Sequence, residues 1–366
     1  MSVKQDTNKN DNIHHLSQMG WTSHFQTQLE HFSNDGFIPA RVIGVRKNSF
    51  RTSDGKSERL ATLAGRLIHD ADSVYPVTGD WVLMTDAVIS RVLVRKNALS
   101  RGASGAHDKQ DAQPEKEQVI AANLDTVFIV SGLDRDFNLR RIERYLTLVY
   151  NCGLNPVVIL TKADLRQDPE RFVSEVEAVA FGVPIHLVSV SDETGLTSLK
   201  PYLSPGRTTA MVGSSGAGKS TLVNRLYGEA VQRTGSISAH VGKGVHTTTS
   251  RDLIMMPQGG MVIDNPGLRE IAFWEVDQGI EAAFPEIEKL AQGCRFTNCS
   301  HTHEPGCRVL GAVNGGEITR ERLENYRKMK REQEYLYHRR RKSADRVEKE
   351  RWKEVALKIK SMKKRR

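Results

Sequence analysis

No window of this 366-residue sequence approaches the roughly 18 consecutive apolar residues that a membrane-spanning helix needs. The first twenty residues, MSVKQDTNKNDNIHHLSQMG, lack the apolar segment of a secretory signal. A soluble, cytoplasmic protein with no membrane partner is therefore expected. Cysteine is scarce: four residues in so long a chain exclude a disulfide framework. Aromatics make up only 6%, and few of them cluster in the first hundred residues, so base stacking there has little to work with. What is present is a chain 38% apolar and 27% charged, enough for two or three globular domains with their own cores. The net charge of +9 is unevenly spread: Thr319 to Arg366 contains 20 Lys/Arg against 8 Asp/Glu, so the rest of the chain is slightly acidic. A basic tail on a nearly neutral body suits a polyanionic partner, because Lys and Arg gain by displacing counterions from phosphates.

Residues 1–35 read as a polar extension with a short helix, in which Trp21, Phe25, Leu29 and Phe32 recur at helical spacing as a packing face. From Ile38 to Leu99 the texture changes to short β-type runs separated by turn signals such as Asp54-Gly55 and Gly79-Asp80. Several strands in so short a stretch predict a small barrel over residues 36–103, of the OB type rather than the SH3 type. Residues 104–118 are polar and aperiodic and read as a linker. Over residues 119–283 strands and helices then alternate. TVFIVSGL is followed by a helix capped by Asn138 with Leu139, Ile142, Leu146 and Val149 on one face. PVVILT, a helix across Pro169 to Phe181, and PIHLVSV come next. Such alternation implies a parallel sheet covered by helices.

The stretch TTAMVGSSGAGKST, residues 208–221, is an apolar run entering G-x-x-x-x-G-K-S. This is a P-loop: backbone N–H groups and a helix N-terminus face phosphate oxygens, Lys219 adds a cation, and Ser220 is suited to magnesium. Downstream, MVIDNPG is a strand ending in Asp264-x-x-Gly267, where a carboxylate can hold the magnesium shell and a glycine N–H can sense a γ-phosphate. Between them, any of Thr247, Thr248 and Thr249 could complete the magnesium site, and Thr249 is the candidate set beside Ser220. The base-reading element lies upstream of these motifs. VVILTKAD ends a strand in Thr161-Lys162-Ala163-Asp164, where a carboxylate can accept both N1–H and the exocyclic amine of guanine, a donor pair that adenine lacks. The lysine stem can cover the base plane. Ser189-Val190-Ser191, at the next strand end, supplies a second base loop. The order is base motif, second base loop, P-loop, threonine loop, Asp-x-x-Gly: a GTPase domain cut and rejoined elsewhere.

Residues 284–366 contain Cys294, Cys299, His301 and Cys307 in C-x4-C-x-H-x5-C spacing, a set that suits tetrahedral structural zinc. His303 competes with His301 for the fourth position, and a redox or buried thiol cluster is the other reading. Cys152 extends the apolar face of the preceding helix and is explained by packing. The basic tail reads as helices whose Tyr326, Tyr335, Tyr337 and Trp352 interleave with Arg and Lys, favouring RNA contact.

Taken together, the permuted motif order, GSSGAGKST, HTTT, D-x-P-G, CRFTNCSHTHEPGC and NYRKMKRE resemble the bacterial RsgA (YjeQ or YloQ) family, circularly permuted GTPases of small ribosomal subunit assembly, over roughly residues 36–340. The resemblance implies a multi-domain fold: an N-terminal OB-type β-barrel, a central circularly permuted α/β P-loop GTPase, and a C-terminal zinc-binding α-helical domain. It implies a cytoplasmic, monomeric GTPase that binds the 30S subunit and 16S rRNA in late maturation and is stimulated by the subunit. It carries zinc onto Cys294, Cys299, His301 and Cys307. GTP/GDP binding passes to Thr161, Lys162, Ala163 and Asp164, to Gly213, Ser214, Ser215, Gly216, Ala217, Gly218, Lys219, Ser220 and Thr221, and to Asp264 and Gly267, with Mg(2+) at Ser220 and Thr249. This chain has Thr161 where many GTPases have Asn, and Asn265 where Ser or Thr is commoner. Leu268 follows Gly267, where Ras-type enzymes place a glutamine that orients water; leucine cannot, and His246, just before the threonines, is the candidate catalytic residue. The competing readings are a GTP-gated RNA-binding regulator with negligible turnover, and a P-loop ATPase or kinase, which leaves the Asp164 strand end unexplained.

Overall fold

The computed structural model describes residues 14–32, 36–47, 49–69, 74–102, 117–135, 137–229, 252–264, 277–331 and 333–334. The chain divides into two compact units: residues 1–100 with 119–271, and residues 101–118 with 272–366.

The first unit opens with residues that look polar in sequence yet pack inward. Leu16 and Met19 are buried, so the segment from residue 14 onward is part of the fold rather than an extension. The reason is the helix that follows, Ser23–Glu30, which buries Phe25. Trp21 meets Trp81 edge-on at 4.7 Å and Phe25 lies 5.8 Å from the same indole, so the apolar stripe packs against the barrel.

Five short strands close that barrel: β1 (Ile38–Val45), β2 (Phe50–Ser53), β3 (Glu58–Leu63), β4 (Trp81–Thr85) and β5 (Val88–Val92). Their order around the ring is β1-β2-β3-β5-β4, with β3 and β5 parallel, the OB-type arrangement. Alternating inward residues Ala40, Val42, Phe50, Ala61, Val82, Met84 and Ile89 fill it. The β2–β3 turn is tied by Asp54, whose carboxylate accepts from the backbone N–H groups of Lys56 and Ser57 at 2.9 and 2.8 Å. Strands β6 (Ala98–Gly102) and β7 (Glu117–Ala122) form a two-stranded ribbon.

The remaining strands are β8 (Thr126–Gly132), β9 (Pro156–Thr161), β10 (Ile185–Leu187), β11 (Thr208–Val212), β12 (Leu253–Met255) and β13 (Met261–Asp264). They build one sheet in the order β10-β9-β8-β11-β13-β12, parallel except for β12. β8, β9 and β11 are buried at every position, as continuous apolar runs in a two-sided sheet should be. Asn138 caps the helix Leu139–Asn151, its side chain accepting from the Arg141 N–H at 3.1 Å. The helix expected across 169–181 is shorter, Glu170–Glu177, and Phe181 beyond its end is exposed.

Two contacts fasten barrel to sheet. Arg41 of β1 is 1% exposed and donates to the carbonyls of Met19, Gly79 and Asn123, to the Thr208 hydroxyl at 2.9 Å and to Met261 Sδ at 3.2 Å. Burial pulls its pKa down to about 10, against the opposing pull of Asp125 and Asp80, so it stays charged at neutral pH. Asp252 lies against β1 and pairs with Arg46 and Arg51 at 3.3 and 3.5 Å. Residue 44 must be glycine for this, because a Cβ there would stand 2.4 Å from Asp252 Oδ1.

The second unit is helical: Asp277–Ala283, Pro285–Ala291, Arg308–Asn314 and a helix over 320–331. Among the described residues, no helix is long and apolar enough to cross a membrane.

Candidate functional site

In a parallel sheet, loops at the carboxyl ends of the strands converge on one edge. Here that edge collects the sequence motifs in spatial rather than chain order. Ser189 follows β10, Thr161 to Asp164 end β9, the P-loop leaves β11, and Asp264 ends β13.

The P-loop joins β11 to the helix Lys219–Tyr227, whose first amides have no intrahelical acceptor and carry the positive end of the helix dipole. The backbone at Gly213 (φ +151) passes so close to β8 that a Cβ would lie 2.2 Å from the Val130 carbonyl. Lys219 Nζ donates to the carbonyls of Gly213 and Ser214 at 2.8 and 2.7 Å, an ammonium held at the loop mouth where phosphate oxygens would claim it. Ser215 and Thr221 are exposed on either side of it, whereas Ala217 is buried.

Asp264 closes the phosphate end. It is only 2% exposed, its Oδ2 accepts from the Ser220 hydroxyl at 3.3 Å, and its Oδ1 has no hydrogen-bond partner. Burial pushes its pKa above the usual carboxylate range, against the opposing effects of Lys219 and Ser220. A buried carboxylate with an unpartnered oxygen beside a serine hydroxyl fits the hydration shell of a divalent cation.

The base end is tied directly to the P-loop. Thr161 Oγ1 donates to the Ala217 carbonyl at 2.6 Å. Lys162 takes a left-handed conformation at φ +59, and its Nζ donates to the Gly216 carbonyl at 2.7 Å and to Asp134 Oδ2 at 2.5 Å. The Ala163 N–H donates to the Val188 carbonyl at 3.3 Å. Asp164 Oδ1 accepts from the Ser189 hydroxyl at 2.8 Å, which brings the loop after β10 onto the carboxylate expected to read the base. The sequence motifs gave no sign of Asp134. Its only signal is a carboxylate two residues past a strand end on the ligand-bearing edge of the sheet.

His246, Thr247, Thr248, Thr249, Asn265, Gly267 and Leu268 lie outside the described residues, as does the basic tail beyond residue 334.

In the second unit Cys294, Cys299, His301 and Cys307 converge, their ligand atoms all within 4.8 Å of one another. Cys294 Sγ lies 3.8 Å from Cys307 Sγ and 3.7 Å from His301 Nδ1, and His301 Nδ1 lies 3.4 Å from Cys307 Sγ. A tetrahedron with metal–sulfur bonds of about 2.3 Å and metal–nitrogen bonds of about 2.0–2.1 Å has edges of about 3.8 Å between sulfurs and about 3.6 Å from sulfur to nitrogen. The separations among Cys294, His301 and Cys307 therefore suit three corners of a tetrahedral metal site, with Cys299 close enough to supply the fourth ligand. His303 is exposed, and it is His301 that lies with the three cysteines. Glu304 draws the loop together by accepting from the N–H groups of Ser300, Thr302 and His303 and from the Ser300 hydroxyl; the Ser300 hydroxyl first, then the backbone N–H groups of Ser300 and Thr302, hold its carboxyl far below the usual range. Cys307 caps the helix Arg308–Asn314, its sulfur accepting from the Leu310 N–H at 3.4 Å. Burial would raise the Cys294 thiol, but N–H groups of Val309 and Arg308 outweigh it and hold the thiol below its ordinary value. Burial and the neighbouring thiols push Cys299 up to about 11.

The sequence matches the model of the RsgA GTPase family over residues 92–274. It is 42% identical to the small ribosomal subunit biogenesis GTPase RsgA of Opitutus terrae, over 93% of this chain and 95% of the relative. The crystal structure of YjeQ from Thermotoga maritima superposes with a TM-score of 0.57 at 30% identity, covering 81% of this chain and 98% of that one. That of YloQ, described as a circularly permuted GTPase, superposes with a TM-score of 0.54 at 24% identity, covering 81% and 95%, and shows the shared fold. With its base motif ahead of its P-loop, its closed barrel and its Cys3His cluster, the chain belongs to the RsgA GTPase family.

Proposed function

We propose that this protein is a monomeric, cytoplasmic GTPase that binds the 30S ribosomal subunit and 16S rRNA late in subunit maturation, hydrolyses GTP to GDP and phosphate there, and is stimulated by the subunit. In this reading residues 36–103 form the barrel domain, 119–283 the GTPase domain, and 284–366 the zinc domain with its basic tail. The observation that carries it is the convergence of displaced motifs at one sheet edge. Thr161 is bonded to Ala217 of the P-loop, and Asp164 to Ser189.

Asp164 accepts the N1–H and exocyclic amine of guanine, and the Lys162 stem lies along the base plane. The P-loop amides and Lys219 neutralise the phosphate oxygens as charge develops on them. Mg(2+), held by Ser220 and Thr249 with Asp264 in its outer shell, would supply further neutralisation of the β- and γ-phosphates. Because Leu268 offers no hydrogen bond to water, His246 is the residue assigned to position the nucleophile. Placement of that imidazole by the bound subunit would produce the stimulation. One zinc ion at Cys294, Cys299, His301 and Cys307 supplies folding energy to the second unit. A regulator that binds GTP without turnover finds no support in a family of GTP hydrolases.

The test is GTP turnover by the full-length protein with and without purified 30S subunits. The expected result is slow turnover alone and a large increase with subunits, lost in His246→Ala while nucleotide and subunit binding persist. Equal rates with and without subunits would overturn the functional reading, and full stimulation of His246→Ala would overturn the assignment of that residue.

A further inference from the structure

Lys162 does not hold itself in place. A long side chain at φ +59 occupies a sparsely populated conformation that persists only when its surroundings impose it. Two contacts at the ammonium do so, one from the P-loop carbonyl of Gly216 and one from the carboxylate of Asp134. Asp134 comes from a third segment, the turn after β8, the strand that lies between the base strand β9 and the P-loop strand β11.

That turn is shaped around the lysine. A Cβ placed on Gly132, the last residue of β8, would stand 3.1 Å from Asp134 Oδ1, crowding the carboxylate, and 3.4 Å from Lys162 Cδ, in contact with the lysine stem. Arg166, four residues beyond Lys162, grips the same turn from the other side. Its Nε donates to the Leu133 carbonyl at 2.6 Å and its NH2 group to the Asp134 carbonyl at 3.1 Å. The guanidinium lies over Phe172 at 5.1 Å, and Phe172 meets Phe137 edge-on at 4.9 Å. The base-motif segment thus fixes the backbone of Asp134, and the Asp134 side chain in turn fixes Lys162. The two paired side chains are 23% and 27% exposed, so their attraction is less screened than that of a fully solvated pair.

We propose that Asp134 is a positioning residue of the guanine-nucleotide site, holding the Lys162 ammonium against the P-loop so that the lysine stem is set before the base arrives. The inference rests on the proposed reading that guanine lies along Lys162. Preorganisation lowers the ordering cost of binding. The ammonium meets the P-loop through the Gly216 carbonyl, so the pair contributes to the affinities for GDP and GTP alike and bears on binding rather than on the hydrolytic step.

The test uses full-length wild type, Asp134→Asn, Lys162→Met and the double variant, titrated with a fluorescent GDP analogue and assayed for GTP turnover at saturation. Asp134→Asn should weaken GDP and GTP binding by up to roughly fivefold, the equivalent of one partly shielded ion pair, with turnover at saturation within about twofold of wild type. In the Lys162→Met background the same substitution should change nothing further, because Asp134 acts through the lysine. Asp134→Glu, which keeps the charge, should recover most of the affinity. Wild-type affinity in Asp134→Asn, or an equal loss with and without Lys162, overturns the proposal. So does loss of fold in Asp134→Asn, since the residue is given no part in the barrel or sheet core. Failure of the guanine reading looks different: wild type itself would then bind GDP no better than ADP.

Discussion

Thr161→Val is the most informative change at the site, because it removes one hydroxyl and almost no volume. Thr161 is buried at the end of β9, and its hydroxyl donates to the Ala217 carbonyl at 2.6 Å, with the Ser131 carbonyl at 3.4 Å. Valine preserves the packing but leaves the Ala217 carbonyl without this donor, at a cost of about 1–3 kcal/mol. Part of that cost falls on the fold: for a unit of this size it lowers the melting temperature by about 2–4 °C per kcal/mol. The rest falls on binding, because a P-loop no longer tied to β9 must be ordered by the nucleotide. At about 1.4 kcal/mol per factor of ten, the Kd for GDP should rise roughly tenfold. Titration with a fluorescent GDP analogue and a thermal melt read the two parts separately. Thr161→Ser and Thr161→Asn each retain a donor and should stay near wild type. If valine binds and melts as wild type does, or serine is as damaged as valine, the hydroxyl does not couple the base strand to the P-loop.

Asp164→Asn reverses the hydrogen-bond polarity facing the base, so preference should shift from guanine to xanthine nucleotides; unchanged GDP preference would contradict the role given to that carboxylate. Cys299→Ser should lose the bound metal by elemental analysis and the protected amides of Arg308–Asn314 by hydrogen exchange, while GDP affinity in the first unit is retained; a full metal complement in the variant would remove Cys299 from the ligand set. Arg41→Met leaves the buried carbonyls of Met19 and Asn123 without their arginine donor, while the Gly79 carbonyl keeps the Asn123 side-chain amide. At about 1 kcal/mol or more for each of the first two, the first unit should lose roughly 2 kcal/mol in chemical denaturation, and a loss below about 1 kcal/mol would mean that Arg41 is not what fastens barrel to sheet.

The parts of the site that were legible in the sequence are those where one backbone geometry demands one residue pattern. Gly213 can pass Val130 only without a side chain, and TTAMV running into G-x-x-x-x-G-K-S announces that strand, loop and helix together. The Cys3His spacing was legible for the same reason, although only the exposure of His303 and the burial of His301 separate the two histidines. What stayed hidden depends on partners distant in the chain. Asp134 acquires meaning only when β8 is seen between β9 and β11, and Arg41 reads as a surface cation until Met19, Thr208 and Met261 close around it. Residues 14–20 look polar by composition, but Leu16 and Met19 find cover next to Trp21. A short helix near a chain end betrays nothing of this by periodicity alone.

The account rests on a single guanine-specific site assembled from motifs that the chain presents out of order. Displacement of a fluorescent GDP analogue from the full-length protein by unlabelled GTP, GDP and ATP tests this most directly. GTP and GDP should compete for the site and ATP should not, because adenine cannot donate the two hydrogen bonds that Asp164 accepts. Displacement by ATP as effective as that by GDP would contradict the assignment of Thr161 to Asp164 as the base-reading element.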